Sequence, residues 1–121
     1  MFEDLAARVN VNAALVKRGR YVTCTMLIEV GEERYLVRIV EGAIEEVANA
    51  GLLMADWTFA LRAPREAWEK FLSAKPPAGF TDLFALQRKK LLRIEGNLHP
   101  FMANLLYFKD VIASVRAVAA Q

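Results

Sequence analysis

Residues 80–118 read FTDLFALQRKKLLRIEGNLHPFMANLLYFKDVIASVRAV, and the order of periods in this stretch decides the fold. An aromatic-rich helix comes first, carrying Phe80, Leu83, Phe84 and Leu86 and ending near the basic run Arg88-Lys89-Lys90. A short strand over residues 91–95 follows, within the phrase Leu92-Arg93-Ile94-Glu95-Gly96-Asn97. The periodicity then predicts one long helix from about residue 98 to residue 119. At 100° per residue, Phe101, Leu105, Phe108, Ile112 and Val115 fall on one side of it. Tyr107, Val111 and Val118 widen that arc on one flank, Met102 and Leu106 sit off the other, and Lys109 and Arg116 share a charged stripe beside Leu105. A helix that only covers a sheet needs a single apolar stripe. One that is apolar over more than half its circumference buries the excess in a ligand, a partner or a membrane.

Upstream, Phe2, Leu5, Val9, Ala13 and Val16 recur at helical spacing, and Gly19 follows as a stop, which predicts one helix over residues 2–17. Alternation over 21–30 predicts a strand with Val22, Cys24, Met26, Ile28 and Val30 on one face. A turn at Gly31-Glu32-Glu33 leads to a second strand over 35–41, and Gly42 leads to a short third strand over 43–47. Ala48-Asn49-Ala50-Gly51 reads as a loop. A fourth strand over 56–62 places Trp57, Phe59 and Leu61 on one face. Pro64 then opens a helix with Trp68, Phe71 and Leu72 on its buried side and a Glu66–Lys70 pair on its surface. Lys75-Pro76-Pro77-Ala78-Gly79 ends it. Helix, four strands, two helices, strand, helix is the order of an α+β domain: a five-stranded, mostly antiparallel sheet covered on one face by about four helices.

The totals agree with one domain over residues 1–121. The chain is 55% hydrophobic and 25% charged, which is the balance of a globular protein. Its 16 basic and 14 acidic residues leave a net charge of +2, too little for the dominant basic face of a nucleic-acid binder. A single cysteine excludes an internal disulfide and a cysteine-based metal cage. The N-terminus does not read as a signal peptide, and no apolar run approaches the ~20 residues of a membrane span. A cytoplasmic location is expected.

These landmarks together resemble the sterol carrier protein type-two family of lipid-binding domains. The strand Ala55-Asp56-Trp57-Thr58-Phe59 leads to a helix opening at Pro64 and carrying Trp68-Glu69-Lys70-Phe71-Leu72. A second helix precedes a strand similar to the family's closing strand, Leu92-Arg93-Ile94-Glu95-Gly96, and the long final helix. The resemblance covers residues 20–118, with residues 1–19 as an N-terminal helix. It implies an apolar tunnel between sheet and helices that holds fatty acyl chains, sterols or other lipids, and no catalysis by the domain itself. The family often has a glycine, preceded by glutamine, just before the closing strand. Here the approach is Gln87-Arg88-Lys89-Lys90, so the turn must be built differently.

Under that resemblance the expected ligand-binding residues are Phe71, Phe80, Leu83, Phe84, Phe101, Met102, Leu105, Phe108 and Ile112. Aromatic and methionine walls suit a pocket that adapts to flexible chains. The same stripe also reads as ordinary core or as a dimer interface. Arg88, Lys89, Lys90 and Arg93 cluster at one helix-to-strand turn. They suit docking onto anionic lipid head groups or pairing with a fatty-acid carboxylate or acyl-CoA phosphates, and equally a solvated helix end. The expected function is non-catalytic binding and transfer, or presentation, of a fatty acid, acyl-CoA, sterol or quinone-like lipid, without a cofactor. The expected partners are that apolar molecule, a transient membrane surface and a second copy of the chain. The alternative is an interaction module or homodimer with a filled cavity, accessory to a lipid-metabolising enzyme.

No catalytic constellation competes. His99, the only histidine, sits near a helix start beside the capping candidate Asn97, with no acid–base partner nominated. Cys24 reads as a buried, inert thiol, and Asp56 as an acceptor for loop backbone. Glu45 and Glu46 are expected on opposite faces of a strand, which argues against a metal site. The isolated glycines form no phosphate loop.

Overall fold

The computed structural model describes residues 1–49 and 56–116. Its five strands form one sheet in the order β3-β2-β1-β4-β5. They are β1 (Cys24–Val30), β2 (Glu33–Val40), β3 (Ala43–Asn49), β4 (Phe59–Ala63) and β5 (Arg93–Gly96). All neighbouring pairs are antiparallel except β1 with β4, which run parallel.

Alternation puts Met26, Ile28 and Val30 of β1 beside Val37 and Tyr35 of β2 and beside Phe59, Leu61 and Ala63 of β4. All of these are buried. The β2–β3 hairpin turns through Glu41 (φ 50°) and Gly42 (φ 83°), the two left-handed residues that a tight hairpin requires. At Glu45 the alternation fails. Arg38 faces Glu46 while the next residue, Ile39, faces Ile44, so Glu45 is the extra residue of a bulge. Glu45 and Glu46 are therefore both exposed, against the expectation of opposite faces, and Glu45 pairs with Arg38 at 3.6 Å. β3 also runs on through Ala48 and Asn49, which the sequence reading assigned to a loop; residues 50 and 51 of that loop, and Ala55, lie outside the described residues. Trp57 precedes β4 and does not share the face of Phe59 and Leu61. Its ring lies 5.5 Å from the guanidinium of Arg62, on the opposite face.

The helices are α1 (Leu5–Asn10), α2 (Ala13–Arg18), α3 (Arg65–Phe71), α4 (Leu83–Arg88), α5 (His99–Ala103) and α6 (Leu105–Ala113). Four helical segments were expected; two of them are broken. The N-terminal one stops at Val11, and Asn12 caps a new helix by accepting from Leu15 N–H at 3.1 Å. The break frees Asn10 for the sheet edge. Its side-chain amide donates to Ile44 O (2.9 Å) and accepts from Ile44 N–H (2.8 Å), covering one residue of the edge strand β3. The C-terminal helix breaks at Asn104, whose backbone (φ −128°, ψ 39°) is not helical. Residues 117–119, including Val118, lie outside the described residues. Phe80 falls before α4 rather than within it.

The helices pack on one face of the sheet around one core. Phe2 meets Trp68 and Tyr35 edge-on at 5.3 and 5.9 Å, and Trp68 Nε1–H donates to Glu29 O at 2.9 Å. Tyr107 locks α6 to the β2–β3 turn, with its hydroxyl donating to Gly42 O at 2.6 Å. Its ring occupies the space beside Gly19, where any Cβ would meet ring carbons at 2.2–2.7 Å. Gly19 does cap α2, with φ −93°, but its smallness rather than a left-handed backbone is what the fold uses.

Candidate functional site

The expected site lies between β4 and the helices α3 to α6. Phe59 of β4, Phe101 of α5 and Phe108 of α6 pack as a triangle with ring centroids 5.1–5.7 Å apart. Such spacing is direct aromatic contact. Phe84 of α4 joins it at 6.4 Å from Phe101, and Phe71 packs 6.0 Å from Trp68. Of the residues expected to line a ligand, Phe71, Leu83, Phe101, Phe108 and Ile112 are buried in this core. Phe80, Phe84 and Leu105 are half-buried at its edge. Met102 points outward and is 54% exposed; its neighbour Leu106 is 69% exposed. These two line a surface cleft of about 350 Å³ with Leu105, Tyr107 and Arg18.

The edge of the aromatic core carries cations, a feature that sequence reasoning missed. Lys109 lies 4.9 Å from the Phe84 ring and is held by Asp82 at 3.2 Å. Lys70 and Lys89 lie 5.2 and 5.4 Å from the Phe80 ring. Arg116 lies 4.6 Å from the Phe71 ring and donates through Nε to Phe71 O at 2.9 Å. Its Nη2 is buried without a hydrogen-bond partner among the described residues, and burial pulls the pKa of the guanidinium below its usual value. Lys109 and Arg116, read from the sequence as one charged stripe, each cover an aromatic face. These partners stand 9 to 45 residues apart in the chain, so no local motif announces them.

The basic run is divided by the turn that ends α4. Lys89 turns to Phe80, while Lys90 and Arg93 line a second cleft of about 410 Å³ together with Arg62, Glu29, Pro64 and Leu91. Arg62 was not among the expected residues. It stands on the open face of the sheet, opposite Glu29 of β1 and Arg93 of β5. An ion-pair ladder crosses that face. Glu29 is paired with Arg34 (3.5 Å) and Arg62, and Glu95 is paired with Arg62 (3.2 Å) and Arg93.

The remaining candidates are quiet. The backbone N–H of His99 donates to Asn97 Oδ1 at 3.2 Å, a local cap, and the His99 side chain is exposed. Cys24 is half-buried, and burial pushes its thiol up to about 11. Tyr107 is raised above the usual phenol value by burial and, secondarily, by Cys24. No cluster of three metal-ligating side chains exists among the described residues, and no helix among them is long and apolar enough to cross a membrane.

No family model matches this chain, and no curated protein is significantly similar to it in sequence. Solved structures are similar in fold. A sterol carrier protein 2 superposes with a TM-score of 0.75 at 14% identity, over 95% of this chain and 92% of that one. UbiJ-SCP2, a ubiquinone synthesis protein, gives 0.61 at 18% identity, over 94% and 87%. The sterol carrier protein domain 2 of Helicoverpa armigera gives 0.58 at 14% identity, over 99% and 87%. The chain has the sterol-carrier-protein-2 fold: an α+β arrangement with a mostly antiparallel five-stranded sheet.

Proposed function

We propose that this protein, acting as one domain over residues 1–121 in the cytoplasm, binds a long-chain apolar lipid without chemistry on it and transfers it or presents it to an enzyme. The observation that carries this reading is the fold likeness, which spans 95% of the chain and 92% of a sterol carrier protein 2. The apolar composition of the described layer between β4 and α3–α6 supports it.

In this reading Phe71, Phe80, Leu83, Phe84, Phe101, Leu105, Phe108 and Ile112 surround the ligand, and Met102 reaches it only by turning inward from its exposed position. The Phe59–Phe101–Phe108 triangle must part to admit it, and the non-helical Asn104 between α5 and α6 is a natural point of movement. Affinity comes from apolar burial at about 25 cal/mol per Å², less the cost of ordering a flexible chain. Discrimination among fatty acids, acyl-CoA, sterols and quinone-like lipids is therefore loose. Arg88, Lys89, Lys90 and Arg93 add attraction to an anionic membrane surface, about 1 kcal/mol each.

Native mass spectrometry of the protein purified from its own cells, with organic extraction of whatever accompanies it, tests the reading. One lipid per chain is expected. A chain that stays empty and takes up no acyl chain, sterol or quinone overturns it; a ligand-free dimer would instead make the packed aromatic layer a filled core and the outward Met102–Leu106 surface a contact between copies.

A further inference from the structure

The turn that ends α4 is one that glycine ordinarily makes. Lys90 N–H donates to Gln87 O at 2.9 Å and Leu91 N–H to Leu86 O at 3.0 Å, the paired bonds of a Schellman stop. The left-handed residue of this motif is Lys90, at φ 62°. A side chain is strained there, and strained backbone persists where the surroundings demand it. Outside the β2–β3 hairpin, Lys90 is the single non-glycine residue with positive φ among the described residues.

What Lys90 gains is a place on the 410 Å³ cleft, with Arg62 and Arg93. The one carboxylate lining that cleft, Glu29, is already engaged by Arg62 and Arg34, and Arg93 is engaged by Glu95. Lys90 forms no ion pair among the described residues. Glu95 also pairs with both Arg62 and Arg93, so the three cations of the cleft face two carboxylates and the excess charge is that of Lys90. It also adjoins an apolar groove: Pro64 and Leu91 line both it and a 160 Å³ cleft walled by Ala67 and Phe80. Lys70 is the cation of that second cleft, where Glu66 partners it at 3.8 Å.

We propose that this surface binds the anionic head of a single-chain amphiphile, a carboxylate or a phosphate monoester. Lys90, Arg93 and Arg62 hold the head group, and Leu91, Pro64 and Phe80 lie against the start of the chain. Lysine at a glycine position trades stability for a charge held over the cleft. The site does not depend on the interior reading, because a neutral lipid held behind the sheet would leave it untouched.

The test is titration of the isotopically labelled protein with dodecyl phosphate below its micelle concentration, with inorganic phosphate and dodecanol as separate arms, followed by amide NMR. Saturable shifts centred on Ala63, Leu91 and Arg93 are expected with dodecyl phosphate. Inorganic phosphate should give weaker shifts at the same amides, and dodecanol none there. Lys90→Gly should weaken dodecyl phosphate binding about tenfold while raising the unfolding midpoint by roughly 2–6 °C; Lys17→Gln, remote on α2, should change neither. Binding unchanged by Lys90→Gly, or dodecyl phosphate shifts confined to α5 and α6, overturns the site. Inorganic phosphate binding as tightly as dodecyl phosphate overturns the amphiphile and leaves a plain anion site.

Discussion

The two faces of the sheet are made from the same five strands and close in opposite ways. On the helix-covered face, Phe59 meets Phe101 and Phe108, and closure is by apolar contact in rings that exclude water. On the open face, Leu27 and Ala60 are as buried as core residues, 4% and 0% exposed. Two residues along the same strands, and so on the same face, Glu29 and Arg62 carry the ladder Arg34–Glu29–Arg62–Glu95–Arg93. The difference teaches that burial alone does not mark the face that can take an apolar ligand. Parting the covered face breaks ring contacts, whereas parting the open face separates ion pairs.

The largest effect should come from the covered face. Phe108→Ala removes a fully buried ring that touches Phe59 and Phe101, so a loss of about 3–5 kcal/mol is expected in urea unfolding. The loss should be independent of salt. If it falls below about 1 kcal/mol, the triangle is loosely filled and the contrast between the faces is weaker than the ring distances imply. A lipid that rescues the variant's stability would sharpen it, by showing that the vacated volume accepts an apolar guest.

On the open face, Arg62→Met keeps an aliphatic stem but removes the centre of the ladder and the cation beside Trp57. Arg62 is 21% exposed and Glu29 23%, so the pairs are partly screened. A cost of about 1 kcal/mol is expected at low salt, shrinking in 1 M salt, where the screening length is about 3 Å. A cost as large as that of Phe108→Ala, unmoved by salt, would mean that the open face is held by packing and that the two faces close alike.

Much of this contrast was legible in the sequence. Period-two alternation placed Met26, Ile28, Val30, Phe59 and Leu61 on the covered face, and the helical stripe placed Phe101, Phe108 and Ile112 against it. Neither period says whether a ring meets a ligand or another ring, because both environments are apolar. The helix breaks were hidden for a related reason. Apolar recurrence runs straight through Asn12 and Asn104, and only the structure reveals that Leu15, outside the predicted stripe, is buried while Ala13, within it, is exposed. The bulge at Glu45 inserts one residue without any glycine or proline to mark it. The cations over Phe71, Phe80 and Phe84, and the convergence of Arg62 with Lys90, come from strand order and helix docking, which no local spacing encodes. The missing glycine before β5 was visible as a departure, but its meaning needed the φ of Lys90.

The smallest effect probes the margin of the covered face, where β1 begins. Cys24 is half-buried there, and burial alone pushes its thiol up to about 11 from an ordinary value of 9.0. At pH 8 the thiolate is then about 0.1% of the folded population, against about 10% for the unfolded chain. Labelling by a thiol reagent should be roughly a hundredfold slower in the native protein than in urea. The same shift sets a sign for stability. Between pH 9 and 11 the unfolded chain loses this proton and the folded one keeps it, so unfolding becomes easier as pH rises through that window. Tyr107, raised by burial and placed near Cys24, acts in the same direction at higher pH. Native labelling as fast as that of the unfolded chain would show water reaching the start of β1, and the boundary between the dry face and the wet one would have to be drawn two residues further along the strand, at Met26.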